Sequence, residues 1–301
     1  MMNPEPPTTL AASSPKSHST MKAILITIVS VALWAASDAF AKVVGEHLPP
    51  IEVTWMRFGI HVMFVFIYYR HALRGVLTSI SYPMQIARGL CSAISGISFI
   101  AGLNYVPFAD ATTIAFISPF LIMAMAALIL KDKVGIRRWV AAGIGLLGVL
   151  LIVRPGTDAF QWAALFPALA ALFGSIAIIL TRLLSHDGPM RTMFYTGTVG
   201  FAVLSVMTIF QWVTPTLTDI LLALGMGISA SLANLTQITA YSHTRPAILA
   251  PFTYIQIVWA ALLSMMFFEI WPTVSTILGA AIIAGSGIYS ALRERAESRE
   301  G

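Results

Sequence analysis

The chain has 301 residues, of which 57% are hydrophobic and only 10% charged, and a formal net charge of +5. Soluble domains carry about 25% charged residues, so this composition, with a mean hydropathy of +0.82, excludes a soluble globular fold. The basic residues are scattered through short loops, which excludes a nucleic-acid surface, and the single cysteine, Cys91, excludes an intrachain disulfide and a Cys-based metal site.

Residues 1–20 are rich in Pro, Ser and Thr and are expected to form a disordered cytoplasmic tail. Ten apolar spans follow, at 24–44, 51–69, 84–104, 109–130, 136–153, 161–180, 190–213, 219–241, 246–268 and 273–292. Each approaches the ~20 residues that cross a ~30 Å hydrocarbon core. All are expected to be helices, because backbone groups in lipid must be satisfied within the segment. Residues 293–301 form a basic tail. Lys16, Lys22 and the small-x-small run Ala39-Phe40-Ala41 have the outline of a cleaved leader. The span is long enough to cross, however, and its removal would break the internal repeat, so it is read as retained.

The first two spans hold ionisable residues: Asp38 and Lys42 in one, Arg57 and His61 in the other. Each such group costs roughly 2.5–3.5 kcal/mol at the centre of a membrane helix, and is rarely kept without a use. Trp34, Asp38 and Lys42 are spaced i, i+4, i+8 and share a face. Asp38 and Arg57 each lie about 9 Å from the outer end of their span at 1.5 Å per residue, so a direct contact across the hairpin is feasible. Two readings stand for that pair. It is a neutral tie between two helices, or it faces a translocation path where Arg57 meets a substrate carboxylate and Asp38 exchanges a proton. Poor solvation disfavours the charged carboxylate and Arg57 favours it, so a bound solute could tip the balance. His61 follows Arg57 by one turn, as a packing residue or a proton relay.

Further along, Asn234, Gln237 and Tyr241 share a face, and Tyr254, Gln256 and Trp259 sit near the middle of the next span. Amides and aromatic rings suit a planar or zwitterionic solute, or else they bond across helix interfaces. Ser92, Ser95 and Ser98 with Gly89 and Gly96, and the series Gly143, Gly145 and Gly148, read as small-residue packing seams. Pro119 and Pro251 fall inside the fourth and ninth spans, where each is expected to kink its helix and could gate it. Arg88, Lys131, Arg137, Arg138 and the C-terminal arginines read as topology determinants and contacts to anionic membrane lipids.

Positive residues cluster at every second boundary, whereas the alternate loops contain only Arg154. The positive-inside rule therefore places both termini in the cytoplasm. An offset of 136 residues aligns the two halves without a gap: Tyr105 falls on Tyr241, Phe116 on Phe252, Gly89 on Gly225, Ser95 on Ser231, Gly143 on Gly279 and Phe58 on Phe194. Two repeats result, at 21–156 and 157–292. Because each holds five spans, they enter the membrane in opposite directions, an arrangement recurrent in secondary transporters. Asp38 and Arg57 align with Gly174 and Met193, so the charge belongs to one half only.

Two segments resemble a known family. Residues 103–119, Leu-Asn-Tyr-Val-Pro-Phe-Ala-Asp-Ala-Thr-Thr-Ile-Ala-Phe-Ile-Ser-Pro, are similar to the junction of the third and fourth helices in EamA-type carriers of the drug/metabolite transporter superfamily. Residues 131–156, which run from Lys-Asp-Lys-Val-Gly to Ile-Val-Arg-Pro-Gly, resemble the fifth-helix region of the same carriers. The resemblance implies a ten-helix, two-repeat inner-membrane carrier. It also implies solutes such as amino-acid derivatives, opine-type metallophores, flavins or S-adenosylmethionine, most often exported. In the second half His243-Thr244-Arg245 replaces the Val-Pro-Phe turn.

The expectation is therefore an all-α integral membrane protein that exports a small amino-acid-like or carboxylate-bearing metabolite by alternating access, with no cofactor and no metal. Import of a flavin- or nucleoside-type metabolite is the alternative, on the strength of Trp34, Tyr254 and Trp259. No Walker A loop, HExxH or nucleophile elbow occurs in the sequence, which argues against an enzyme and for transport driven by a gradient. Nothing in it decides between a monomer and a homodimer.

Overall fold

The computed structural model describes residues 17–71, 79, 81–129, 131, 136–153, 162–243, 249 and 252–300, all as helices, turns and short connections, with no strand among them. The helices are α1 (Ser17–Val44), α2 (Pro50–Tyr68), α3 (Tyr82–Leu103), α4 (Phe108–Ala115), α5 (Ser118–Ile129) and α6 (Ile136–Val153) in the first half. The second half has α7 (Leu165–Leu183), α8 (Gly188–Thr208), α9 (Leu217–His243), α10 (Ile255–Phe268) and α11 (Val274–Glu300). α1 begins inside the stretch expected to be disordered, and α11 runs on through the expected basic tail. Among the described residues seven segments are long and apolar enough to cross a membrane. Ile255–Phe268 and Val274–Ser286 are shorter apolar helices. Large apolar side chains such as Leu25, Ile67, Leu147, Phe210 and Met266 face outward, a pattern that suits lipid and not water.

The helix ends are fixed locally. Pro50 occupies the first turn of α2, where its missing N–H is no loss. α9 starts on a reciprocal cap: Thr216 N–H and Oγ1–H donate to Asp219 Oδ2, while Asp219 N–H donates to Thr216 Oγ1. α10 stops at Glu269, which adopts a left-handed φ of 54°, and the following Ile270 N–H turns back to Ser264 O.

The fourth span is not a kinked continuous helix. It is broken at Phe116–Ile117, and Pro119 sits in the first turn of α5. A proline has no N–H to give the carbonyl four residues back, here that of Ala115. The chain unwinds instead: Phe116 and Ile117 N–H shorten to Thr113 O and Ile114 O, and the freed Ala115 O accepts Ser118 Oγ–H at 2.7 Å. The second half is also interrupted, with a turn at Tyr254 before α10. Pro251 lies outside the described residues.

Packing follows the duplication. α1 packs chiefly on α9 and α7 on α3, which are the same pair exchanged between halves; α3 on α8 and α9 on α2 form another such pair, as do α1 on α10 and α7 on α5. α2 on α8 and α6 on α11 are each their own counterpart. Along α6–α11 the backbones approach closely. A Cβ on Gly148 would lie 2.8 Å from Gly279 O, whereas one on Gly143 would meet nothing within 4 Å.

The end where α1 starts beside the last turns of α9 lies opposite an end built from the turns after α1, α3, α8 and α10, where Lys42 reaches Leu103 O and the Phe268 ring and Val213 N–H donates to Glu52 Oε2. The main hydrophobic cluster belongs to that opposite half. It includes Val44, Leu48, Val53, Ile100, Leu103, Phe108, Ile114 and Met226, all buried. Toward the terminal end the described clusters are small: Val65 with Met193 and Phe194, and Ala23 with Ala240 and Leu249.

Candidate functional site

A cavity of about 510 Å³ lies between the two halves, within the range that holds small organic ligands. α1 contributes Trp34 and Asp38, one turn apart, and α2 contributes Arg57 and His61, also one turn apart. α9 supplies Asn234 and Gln237, and Gln256 enters from the first turn of α10. The fourth span lines the cavity through Phe116 in its unwound stretch and Ser118 at the start of α5. Phe116 packs on Tyr254 with ring centroids 5.3 Å apart, so the two interruptions meet beside the cavity.

Arg57 Nη2–H donates to Asp38 Oδ1 at 2.9 Å, with the two side chains only 11% and 9% exposed. Arg57 also reaches Ser37 O at 3.5 Å, and among the described residues its Nε has no partner. His61 Nδ1 is 3.1 Å from Ser231 Oγ. Ser231 spends its one proton on Gly227 O at 2.7 Å, so it accepts from His61 Nδ1–H. Nε2 is buried and makes no hydrogen bond of normal geometry among the described residues.

Not every expected residue reaches the wall. Trp259 is absent from the lining, and its Nε1 is buried without a partner. Tyr254 contributes through its packing on Phe116. Tyr241 lies on α9, and its side chain is outside the described residues. Lys42, although on the face of Trp34 and Asp38, turns to the opposite end. It donates to Leu103 O at 2.9 Å, capping the last carbonyls of α3, and its ammonium lies 5.3 Å from the centre of the Phe268 ring.

Arg88 corrects the sequence reading, which treated it as a topology determinant. It lines the cavity on the face that also presents Ser92 and Ser95. Its Nε–H donates to Thr181 Oγ1 at 2.6 Å and its Nη1–H to Thr192 O at 3.2 Å. The available signal was depth: Arg88 falls inside the apolar span 84–104, at i, i+4 and i+7 with Ser92 and Ser95. Those serines, read as a packing seam, also line the cavity, and Ser95 Oγ–H in addition ties α3 to Ala170 O at 2.8 Å.

Electrostatically the wall carries one carboxylate and two guanidinium groups. Uncompensated charge is expensive at membrane depth. The arrangement can therefore take an anionic group, supply amide hydrogen bonds, and stack a planar moiety between aromatic side chains. Among the described residues no group of His, Cys, Asp and Glu is placed to hold a metal ion.

The sequence profile of the EamA-like transporter family matches residues 21–154 and 161–291. An S-adenosylmethionine uptake transporter of Rickettsia felis is 27% identical, with 89% of this chain and 92% of that protein aligned. The pseudopaline exporter CntI of Pseudomonas aeruginosa is 27% identical, over 86% of this chain and 92% of its own. A riboflavin transporter of Rhizobium johnstonii is 28% identical over 73% and 74%. A solved crystal structure superposes with a TM-score of 0.67 at 19% identity, covering 91% of this chain and 98% of its own, and shows the same fold.

Proposed function

This chain belongs to the EamA-like transporter family, a multi-pass membrane transporter and not an enzyme, and from that premise we propose that it is a secondary carrier of the inner membrane. In this reading it crosses the membrane ten times with both termini cytoplasmic, the orientation its Lys and Arg distribution favours. It exports a small amino-acid-like, carboxylate-bearing metabolite by alternating access. The observation that carries the reading is the cavity between the repeats, walled by Asp38, two arginines, three amides and aromatic rings. A zwitterion with an apolar or planar body matches that wall in charge and in shape. Arg57 and Asp38 serve as the charged pair at the centre of the path, and Pro119 marks the break that moves as the fourth span opens and closes. Pro251 is assigned the same role in the ninth span.

A second reading is uptake of a nucleoside-bearing amino acid. It is favoured by the likeness to the Rickettsia felis protein over 92% of its length, and by Trp34 and Phe116 in the cavity wall, which suit a nucleobase.

Counterflow of labelled solutes in proteoliposomes tests both. Exchange of amino-acid-like solutes across a sealed bilayer supports the carrier, and its absence for every such solute rejects this substrate class. Vectorial transport under an imposed proton gradient gives the direction. If Asp38→Asn left gradient-driven transport intact, coupling through Asp38 would be ruled out.

A further inference from the structure

We propose that Arg88, and not Arg57, is the residue on which the solute's anionic group docks. The inference rests on the carboxylate-bearing solute proposed above and assigns the part of the cavity that receives the carboxylate. Three observations carry it.

Arg57 is committed. Its guanidinium donates to Asp38 Oδ1 at 2.9 Å and to Ser37 O, so a substrate carboxylate would have to compete with a buried partner already in place. Breaking such a pair leaves one charge uncompensated and is strongly unfavourable.

Arg88 is held but not neutralised. Thr181 Oγ–H donates to Ala177 O at 2.7 Å, so that hydroxyl accepts from Arg88 Nε–H. Thr192 O accepts from Arg88 Nη1–H and from Thr196 Oγ1–H. Both acceptors are neutral. They lie on α7 and α8 of the second half and fix the guanidinium plane as it reaches across from α3. Among the described residues no carboxylate pairs with Arg88. Among the described residues its Nη2 makes no hydrogen bond, and the residue lines the cavity.

The charge count then follows. Asp38 and Arg57 pair with each other, so among the described residues of the lining the guanidinium that no carboxylate faces is that of Arg88. A carboxylate accepting from its free edge makes a charge-assisted bond in a poorly solvated site. Because the residues that orient Arg88 belong to the second half and Arg88 to the first, anion docking also ties together the two halves that must move.

The test uses reconstituted wild-type protein, Arg88→Gln, Arg88→Lys and Arg57→Gln, each first shown to be monodisperse in detergent. S-adenosylmethionine and its decarboxylated analogue are the paired probes, read by counterflow. Wild-type protein is expected to prefer the carboxylate form by about tenfold or more, the worth of one hydrogen bond to a charged group. Arg88→Gln should erase that preference, Arg88→Lys should retain part of it, and Arg57→Gln should slow exchange while keeping it. A preference that survives Arg88→Gln overturns the proposal, as does one lost only in Arg57→Gln. If wild-type protein carries neither probe, it is the choice of solute that fails, and labelling decides Arg88 separately. Phenylglyoxal should modify Arg88, as read by peptide mass spectrometry, with millimolar acetate slowing the reaction and acetamide leaving it unchanged. Equal rates with the two would overturn the assignment.

Discussion

Arg57 Nη2 lies 2.9 Å from Asp38 Oδ1, joining α1 to α2 where both side chains are almost closed off from solvent. The geometry has an energetic signature. Asp38→Asn or Arg57→Gln alone should destabilise the protein by about 3–5 kcal/mol, because each strands a buried charge. The double variant should be less destabilised than the two singles added together. A double-mutant cycle by thermal unfolding in detergent measures the coupling, and additive losses would show that the contact contributes nothing.

The break at Phe116–Ile117 predicts an effect on rate that is separable from stability. Pro119→Ala restores an N–H that can donate to Ala115 O, so the fourth span is expected to rewind through the break. Stability should hold or rise, while counterflow should slow several-fold. An unchanged exchange rate with a rewound helix would remove this segment from the gate.

The α6–α11 seam separates two glycines of one helix. Gly148→Val places a side chain where a Cβ would already be 2.8 Å from Gly279 O. It should destabilise by about 1–3 kcal/mol, as overpacking does. Gly143→Ala, with nothing within 4 Å, should be neutral or slightly stabilising. Melting temperatures of the two variants in the same detergent provide the comparison, and equal shifts would contradict the close approach.

At the start of α9, Asp219→Ala removes the acceptor of both Thr216 donors. Loss of such a cap typically costs about 1 kcal/mol. Local hydrogen exchange in the first turn of α9 should rise while the other helices keep their protection. Uniform exchange across the bundle would mean that the cap acts globally.

How far the chain could be read in advance depended on whether a residue's role is set along the helix or around it. Helical spacing and depth along the axis are written in the order of residues, so the Asp38–Arg57 contact could be foreseen from two equal counts. The helix pairs that the two halves exchange follow the same 136-residue offset. What spacing cannot decide is which way a long side chain turns. Lys42 shares its face with Asp38 yet reaches away to Leu103 O. Arg88 was grouped with cations near the ends of spans, although its depth already set it apart. Trp259 has the chemistry for a stacking wall, but the rotation of α10 keeps it out of the cavity. Pro119 marks the right segment, but the chain yields before the ring and not at it.

The cluster at the end opposite the termini has a consequence for the resting carrier. Under the 136-residue offset, Ile100, Leu103, Val106, Phe108 and Ile114 correspond to Thr236, Thr239, Ser242, Thr244 and Ala250. Among the described residues the apolar cluster at one end therefore has no equal at the other. Sequestering each large apolar side chain contributes about 1.5–3 kcal/mol. If transport proceeds by the halves trading shapes, as proposed above, the two end states are then unequal wells. On that proposal, a bound solute would offset the difference between the two wells, which the empty carrier has no means to do. Such a bias favours exchange over leak without any dedicated lock.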